Sequence, residues 1–187
     1  LLHSPSAIGV QLDSLADVIT SGLAPAAVLW QVCLQTEPCW LPEAWKLGYG
    51  VFVLAAFSAL RLAKFNIDET QTVEFCGLPT PAGSLLCASL GMLWQQGMLA
   101  LSSDGVLLIA VLTSLLLVSP IRMFALKFHG FGWRGNEVRY LFLLASIVLI
   151  IILRTYAIPV IIVLYIVVSA VRWLCMHSGN PDKAPKA

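Results

Sequence analysis

Two aspartates four residues apart, Asp13 and Asp17, stand near the head of an otherwise apolar stretch, Gly9-Val10-Gln11-Leu12-Asp13-Ser14-Leu15-Ala16-Asp17. On a helix, residues at that spacing share one face, about 6 Å apart along the axis. Like charges so placed repel, and a carboxylate at mid-bilayer costs about 2.5–3.5 kcal/mol. A divalent cation reverses the sign of that energy. Carboxylates on one face hold Mg²⁺ or Mn²⁺, and the ions in turn clamp a diphosphate. Gly9, one turn before Asp13, has no side chain and lets a bulky ligand approach the backbone. The bland alternative is helix capping, since the dipole favours an acid near a helix start. It accounts for Asp13, whereas Asp17 lies a turn too deep.

The composition dictates what carries these acids. Of 187 residues, 59% are hydrophobic and 11% charged, and the mean hydropathy is +0.87. Soluble domains carry about 25% charged residues, so a water-soluble globule is excluded. Disorder is excluded by the excess of apolar side chains. A net charge of +1 without a basic block offers no track for nucleic acid. The expected fold is all-α, a polytopic transmembrane helix bundle. Runs of roughly 20 apolar residues, enough to cross about 30 Å of hydrocarbon, give about six spans: 11–34, 45–64, 82–101, 105–122, 138–154 and 157–176. Residues 1–177 read as one membrane domain and 178–187 as a polar tail. The opening Leu1-Leu2-His3 has neither Met nor a charged region, so no signal peptide is expected and the chain reads as a fragment or processed product.

Positive charge predicts the orientation. With the N-terminal end in the cytoplasm and alternating spans, Arg61, Lys64, Arg122, Lys127, Arg134, Arg139, Arg172, Lys183 and Lys186 share that side, and only Lys46 and Arg154 lie opposite. The acidic pair then faces the cytoplasm. Pro120–Trp133 alternates Ile121, Phe124, Phe128 and Phe131 with basic residues, which suits a short helix or loop in the headgroup layer or a plain basic loop. Trp40, Trp45, Trp133, Tyr140 and Trp173 read as interfacial aromatics. Cys33 and Cys39 are close enough in sequence to pair, but membrane cysteines are more often small packing residues. Scattered His3, His129 and His177 make no zinc motif, and no Gly-rich nucleotide loop occurs.

Gly9-x3-Asp13-x3-Asp17 resembles the second half of the signature of the CDP-alcohol phosphatidyltransferases, D-x2-D-G-x2-A-R-x8-G-x3-D-x3-D. On that resemblance the motif's first half, with two acids and one or two preceding helices, is expected to be missing and this polypeptide alone to be inactive. Three further blocks resemble the phosphatidylserine synthase branch: Gly22-Leu23-Ala24-Pro25-Ala26, Ala59 to Asn66 (ALRLAKFN), and Phe75 to Gly83 (FCGLPTPAG). Beyond residue 84 the likeness is topology and Ser119-Pro120-Ile121-Arg122.

The resemblance implies transfer of a phosphatidyl group from CDP-diacylglycerol to L-serine, with release of CMP, in a bacterial inner membrane and as a homodimer. It implies a two-metal Mg²⁺ or Mn²⁺ site in which Asp13 is a ligand and Asp17 both a ligand and the catalytic base. Arg61 and Lys64, three apart on one helical face, suit a lipid phosphate or the serine carboxylate, or are plain positive-inside anchors. Asn66 suits a substrate hydrogen bond or a helix C-cap. Pro79, Pro81 and Gly83 read as architecture, and Arg122 is a weaker phosphate contact. Glycerol phosphate or inositol phosphate would be the acceptor in neighbouring branches. A small transporter with Asp13 and Asp17 as cation ligands is the reading from another class.

Overall fold

The structure, a computed structural model, describes residues 7–40, 44–67, 74–124 and 136–178. The stretch before Ala7, residues 125–135 of the basic segment and the tail from 179 lie outside the described residues. Helix α1 (Ala7–Asp17) runs through a π-helical turn, Val18–Leu23, into α2 (Ala24–Gln35). A 3₁₀ stretch, Ala44–Phe52, leads into α3 (Val53–Ile67). Strand β1 (Glu74–Cys76) precedes α4 (Thr80–Gln95) and α5 (Ser103–Val118). Strand β2 (Arg122–Phe124) then pairs antiparallel with β1, Cys76 opposite Arg122. Helices α6 (Glu137–Leu153) and α7 (Ala157–Ser178) complete the chain. The helical membrane fold read from composition is present, with one two-stranded ladder added. At 122–124 the headgroup helix or loop expected there is a strand.

Three stretches are long and apolar enough to cross a bilayer: Ile8–Gln35, Gly48–Ile67 and Glu137–Cys175. The last is a hairpin rather than one rod. Arg154 takes φ 47°, and beyond it the Phe142 and Tyr165 rings meet at 5.9 Å between centroids. Residues so distant in sequence touch only if α7 folds back along α6. Only 17% of the apolar window in this hairpin is buried inside the protein, and Leu141, Ile151 and Ile152 are 68–70% exposed. Such a surface belongs in hydrocarbon. Helices α4 and α5 have 16 residues each, about 24 Å at 1.5 Å per residue. Among the described residues, length and apolarity thus establish three such stretches, the last a two-helix hairpin, where about six spans are expected.

The expected span 82–101 stops early for a local reason. Gly97 has φ +69°, Met98 N–H donates to the Leu93 carbonyl and Gly97 N–H to that of Trp94. These paired bonds close a Schellman C-cap on α4. At the other end of α4, Gly77 (φ +75°) and Leu78 dock on the end of α5, their N–H groups donating to the Ile121 and Leu116 carbonyls at 2.9 Å each. A Cβ on Gly77 would run into the Leu117 carbonyl oxygen. Gly77→Ala is expected to cost about 2 kcal/mol or more, since the left-handed backbone alone costs roughly 1–2 kcal/mol for a residue with Cβ. The check is the temperature at which the micelle-solubilised protein loses monodisperse elution; an unmoved midpoint contradicts the docking role.

Leu29, Val51, Leu54, Val106, Ala110 and Leu117 form the centre of the buried core, where α2, α3 and α5 meet. Gly83 fits α4 against Thr113 of α5, where its Cβ would lie 3.3 Å from Cγ2, as a close-packing glycine should. The five cysteines are free, and Cys33 is a buried packing residue. Polar groups fasten the end opposite the acidic pair. Ser102 caps α5 by accepting from Gly105 N–H. The Asp104 carboxylate accepts from the Cys39 and Trp40 N–H groups at 2.7 and 3.0 Å. Ser103 donates to the Thr36 and Cys33 carbonyls. The loop after α2 is thereby tied to the start of α5.

Candidate functional site

Gly9, Asp13 and Asp17 fall on successive turns of α1, as their spacing requires. Gly9 and Asp13 are exposed and Asp17 is half-buried. The face they share is therefore open to a ligand at one end and leads into the protein at the other. Directly after Asp17 the helix switches to π geometry over Val18–Leu23, a distortion that recurs beside functional sites.

The π turn rests on α3 through Gly22. A Cβ there would lie 2.9 Å from Ser58 Cβ and 3.2 Å from Ala55 Cα, so only glycine allows this approach. Close contact brings Arg61 of α3 within electrostatic range of Asp17. Arg61 is buried, 8% exposed, and interacts electrostatically with Asp17. Its Nη1 donates to Thr80 Oγ1 at 3.2 Å, and Nε is buried with no hydrogen-bond partner among the described residues. A guanidinium held inside a membrane protein with an open donor is poised for an anion. That separates Arg61 from an ordinary positive-inside anchor. Lys64, one turn on, is exposed and keeps the anchor reading.

Asn66 is tied to the acidic helix. Its Nδ2 donates to Ser14 Oγ at 2.8 Å, and Ser14 in turn donates to the Val10 carbonyl at 3.1 Å. The side chain straps the end of α3 to the acidic helix. Arg122 is exposed on β2, opposite Cys76, and the described contacts do not bring it to the carboxylates. Thr80, Tyr165 and Ser58 are site neighbours that the sequence did not announce. Thr80 opens α4 behind Pro79, and Tyr165 on α7 lies within electrostatic reach of Arg61.

Among the described residues, no three His, Cys, Asp or Glu side chains gather into a metal-binding group. The donor set is a carboxylate pair. That fits Mg²⁺, which is commonly held by one or two carboxylates and completes its octahedron with water and substrate phosphate oxygens.

Fold and site define a helical membrane protein in which the half-buried Asp17 lies within electrostatic range of the buried Arg61. No family model matches the chain. It is similar to the CDP-diacylglycerol–serine O-phosphatidyltransferase of Mycobacterium tuberculosis, 34% identical over a 203-residue alignment covering 100% of this chain and 68% of that protein. The protein of that name in Bacillus subtilis is 31% identical over 129 residues, 69% of this chain and 66% of the relative. That in Helicobacter pylori is 28% identical over 179 residues, 93% of this chain and 71% of the relative. The chain belongs to the CDP-diacylglycerol–serine O-phosphatidyltransferase family, whose members are enzymes. It spans about two thirds of the length of the first two of these relatives.

Proposed function

We propose that this chain bears the second half of the acidic motif and the substrate arginine of an enzyme that transfers a phosphatidyl group from CDP-diacylglycerol to the hydroxyl of L-serine, giving phosphatidylserine and CMP. The observation that carries the reading is the convergence of Asp17 with the buried, incompletely bonded Arg61. The serine oxygen forms the new bond to the phosphatidyl phosphorus, and the bond from that phosphorus to the CMP oxygen breaks. The hydroxyl proton goes to Asp17, a carboxylate positioned as general base. Arg61 holds a substrate anion. Asp13 and Asp17 are the residues that would hold Mg²⁺ or Mn²⁺, whose chemistry is to neutralise the diphosphate and the departing CMP.

The names of the relatives favour serine over glycerol phosphate or inositol phosphate as acceptor, and favour a transferase over a cation transporter. Arg61, Lys64, Arg122 and Arg172 support a site that faces the cytoplasm, and the bacterial relatives favour an inner membrane. A homodimer is part of the same proposal.

The test is CMP release in CDP-diacylglycerol-containing vesicles by the protein carrying the complete D-x2-D-G-x2-A-R-x8-G-x3-D-x3-D motif, the wild type of every comparison below, beside the 187-residue chain alone, which is expected to be inactive. Release is expected to require L-serine, to fall to background with chelator, and to return with Mg²⁺ or Mn²⁺. Equal rates with glycerol phosphate, or release indifferent to chelation, would overturn the acceptor or the metal respectively.

A further inference from the structure

Arg61 is held in a way that leaves one edge of its guanidinium for a ligand. The group carries five N–H donors in a planar fork. Thr80 takes Nη1 at 3.2 Å. The opposite edge, carrying Nε and Nη2, is the one that matches a carboxylate with two parallel bonds. Nε on that edge is buried and has no partner among the described residues. An unpaired charged donor in the interior is costly, and the arrangement persists because a ligand completes it.

One buried side chain holds the group. Thr80, 2% exposed, is the first residue of α4, and Pro79 before it sets the backbone that places its hydroxyl. Of the substrates in the proposed reaction, only the acceptor amino acid bears a carboxylate, and Arg61 lies beside the carboxylate that would take its hydroxyl proton.

Resting on that functional reading, we propose that Thr80 is a positioning residue that presents the Nε edge of Arg61 to the carboxylate of the acceptor amino acid. Its side chain need not touch substrate. Its effect appears in acceptor affinity and selectivity rather than in lipid binding.

The experiment compares Thr80→Val and Thr80→Ser with wild type in serine-dependent CMP release. The alternative acceptor is an amino alcohol bearing CH₂OH where serine has its carboxylate. Thr80→Val is expected to raise the serine KM about tenfold, the scale of one hydrogen bond to a charged group, with kcat and the CDP-diacylglycerol KM little changed. The preference for serine over the amino alcohol should shrink by the same factor. Thr80→Ser should restore both values. An active wild type with an unmoved serine KM in Thr80→Val overturns this inference alone. So does a rise confined to the CDP-diacylglycerol KM. A wild type without serine-dependent release overturns the functional reading with it.

Discussion

Asp17→Asn is expected to cut serine-dependent CMP release by about 10²–10⁴-fold, the range a positioned general base contributes, while CDP-diacylglycerol binding is largely kept. The substitution preserves shape and removes only the ability to take a proton and to bear charge. Asp17 is the member of the acidic pair that leads into the protein, half-buried and in electrostatic contact with Arg61, whereas Asp13 is exposed. The two variants should therefore differ in kind. Asp13→Asn weakens metal binding, so raising Mg²⁺ should recover part of its rate; Asp17→Asn should stay slow at any Mg²⁺ concentration. Steady-state rates across a metal titration, with labelled CDP-diacylglycerol binding measured in parallel, separate the two. Wild-type turnover in Asp17→Asn would remove it as base.

Much of this site is legible in the sequence because its spacing is local. Asp13 and Asp17 must share a face if the segment is helical, and an acidic pair in apolar surroundings calls for a cation. Spans 11–34, 138–154 and 157–176 also emerge within a few residues of Ala7–Gln35, Glu137–Leu153 and Ala157–Ser178, since hydropathy alone sets such ends. Where a local signal was present but hydropathy overrode it, the reading ran long. The Gln95-Gln96-Gly97 end of α4 is an ordinary glycine C-cap inside an apolar run. What the sequence could not show were partners distant along the chain. The charge of Arg61 places it at an interface, but it is buried and its hydrogen bond goes to Thr80 on another helix. Asn66 looks like a cap until Ser14, 52 residues away, takes its proton donor. The π turn after Asp17 has no periodicity signature either; it follows from how closely Gly22 lets that helix lie on α3.

That closeness makes Gly22→Ala a sharper probe of the site than its small size suggests, with an expected loss of about 10²-fold in turnover. Helix propensity alone would favour the change by about 0.8–1.0 kcal/mol. Against it, the new methyl would sit 2.9 Å from Ser58 Cβ and 3.2 Å from Ala55 Cα, the second a backbone atom that cannot swing aside. Overpacking of this kind costs about 1–3 kcal/mol, so the net change in stability is small and the protein still folds. The helix is displaced instead, and Asp17, five residues upstream on the same rod, moves relative to Arg61, one turn beyond Ser58 on the other. A misplacement of about 1 Å in a catalytic group is enough for about 10²-fold in rate. Ser58 offers the control, because its buried hydroxyl has no hydrogen-bond partner among the described residues and is not needed for one. Ser58→Gly removes the nearest obstructing atoms at a helix-propensity cost of about 1 kcal/mol. In the double variant Gly22→Ala, Ser58→Gly, most of the lost rate should return, although two substitutions that each reduce activity would ordinarily compound. Rates that multiply rather than recover would show that the acidic helix and α3 are not held in register by this contact.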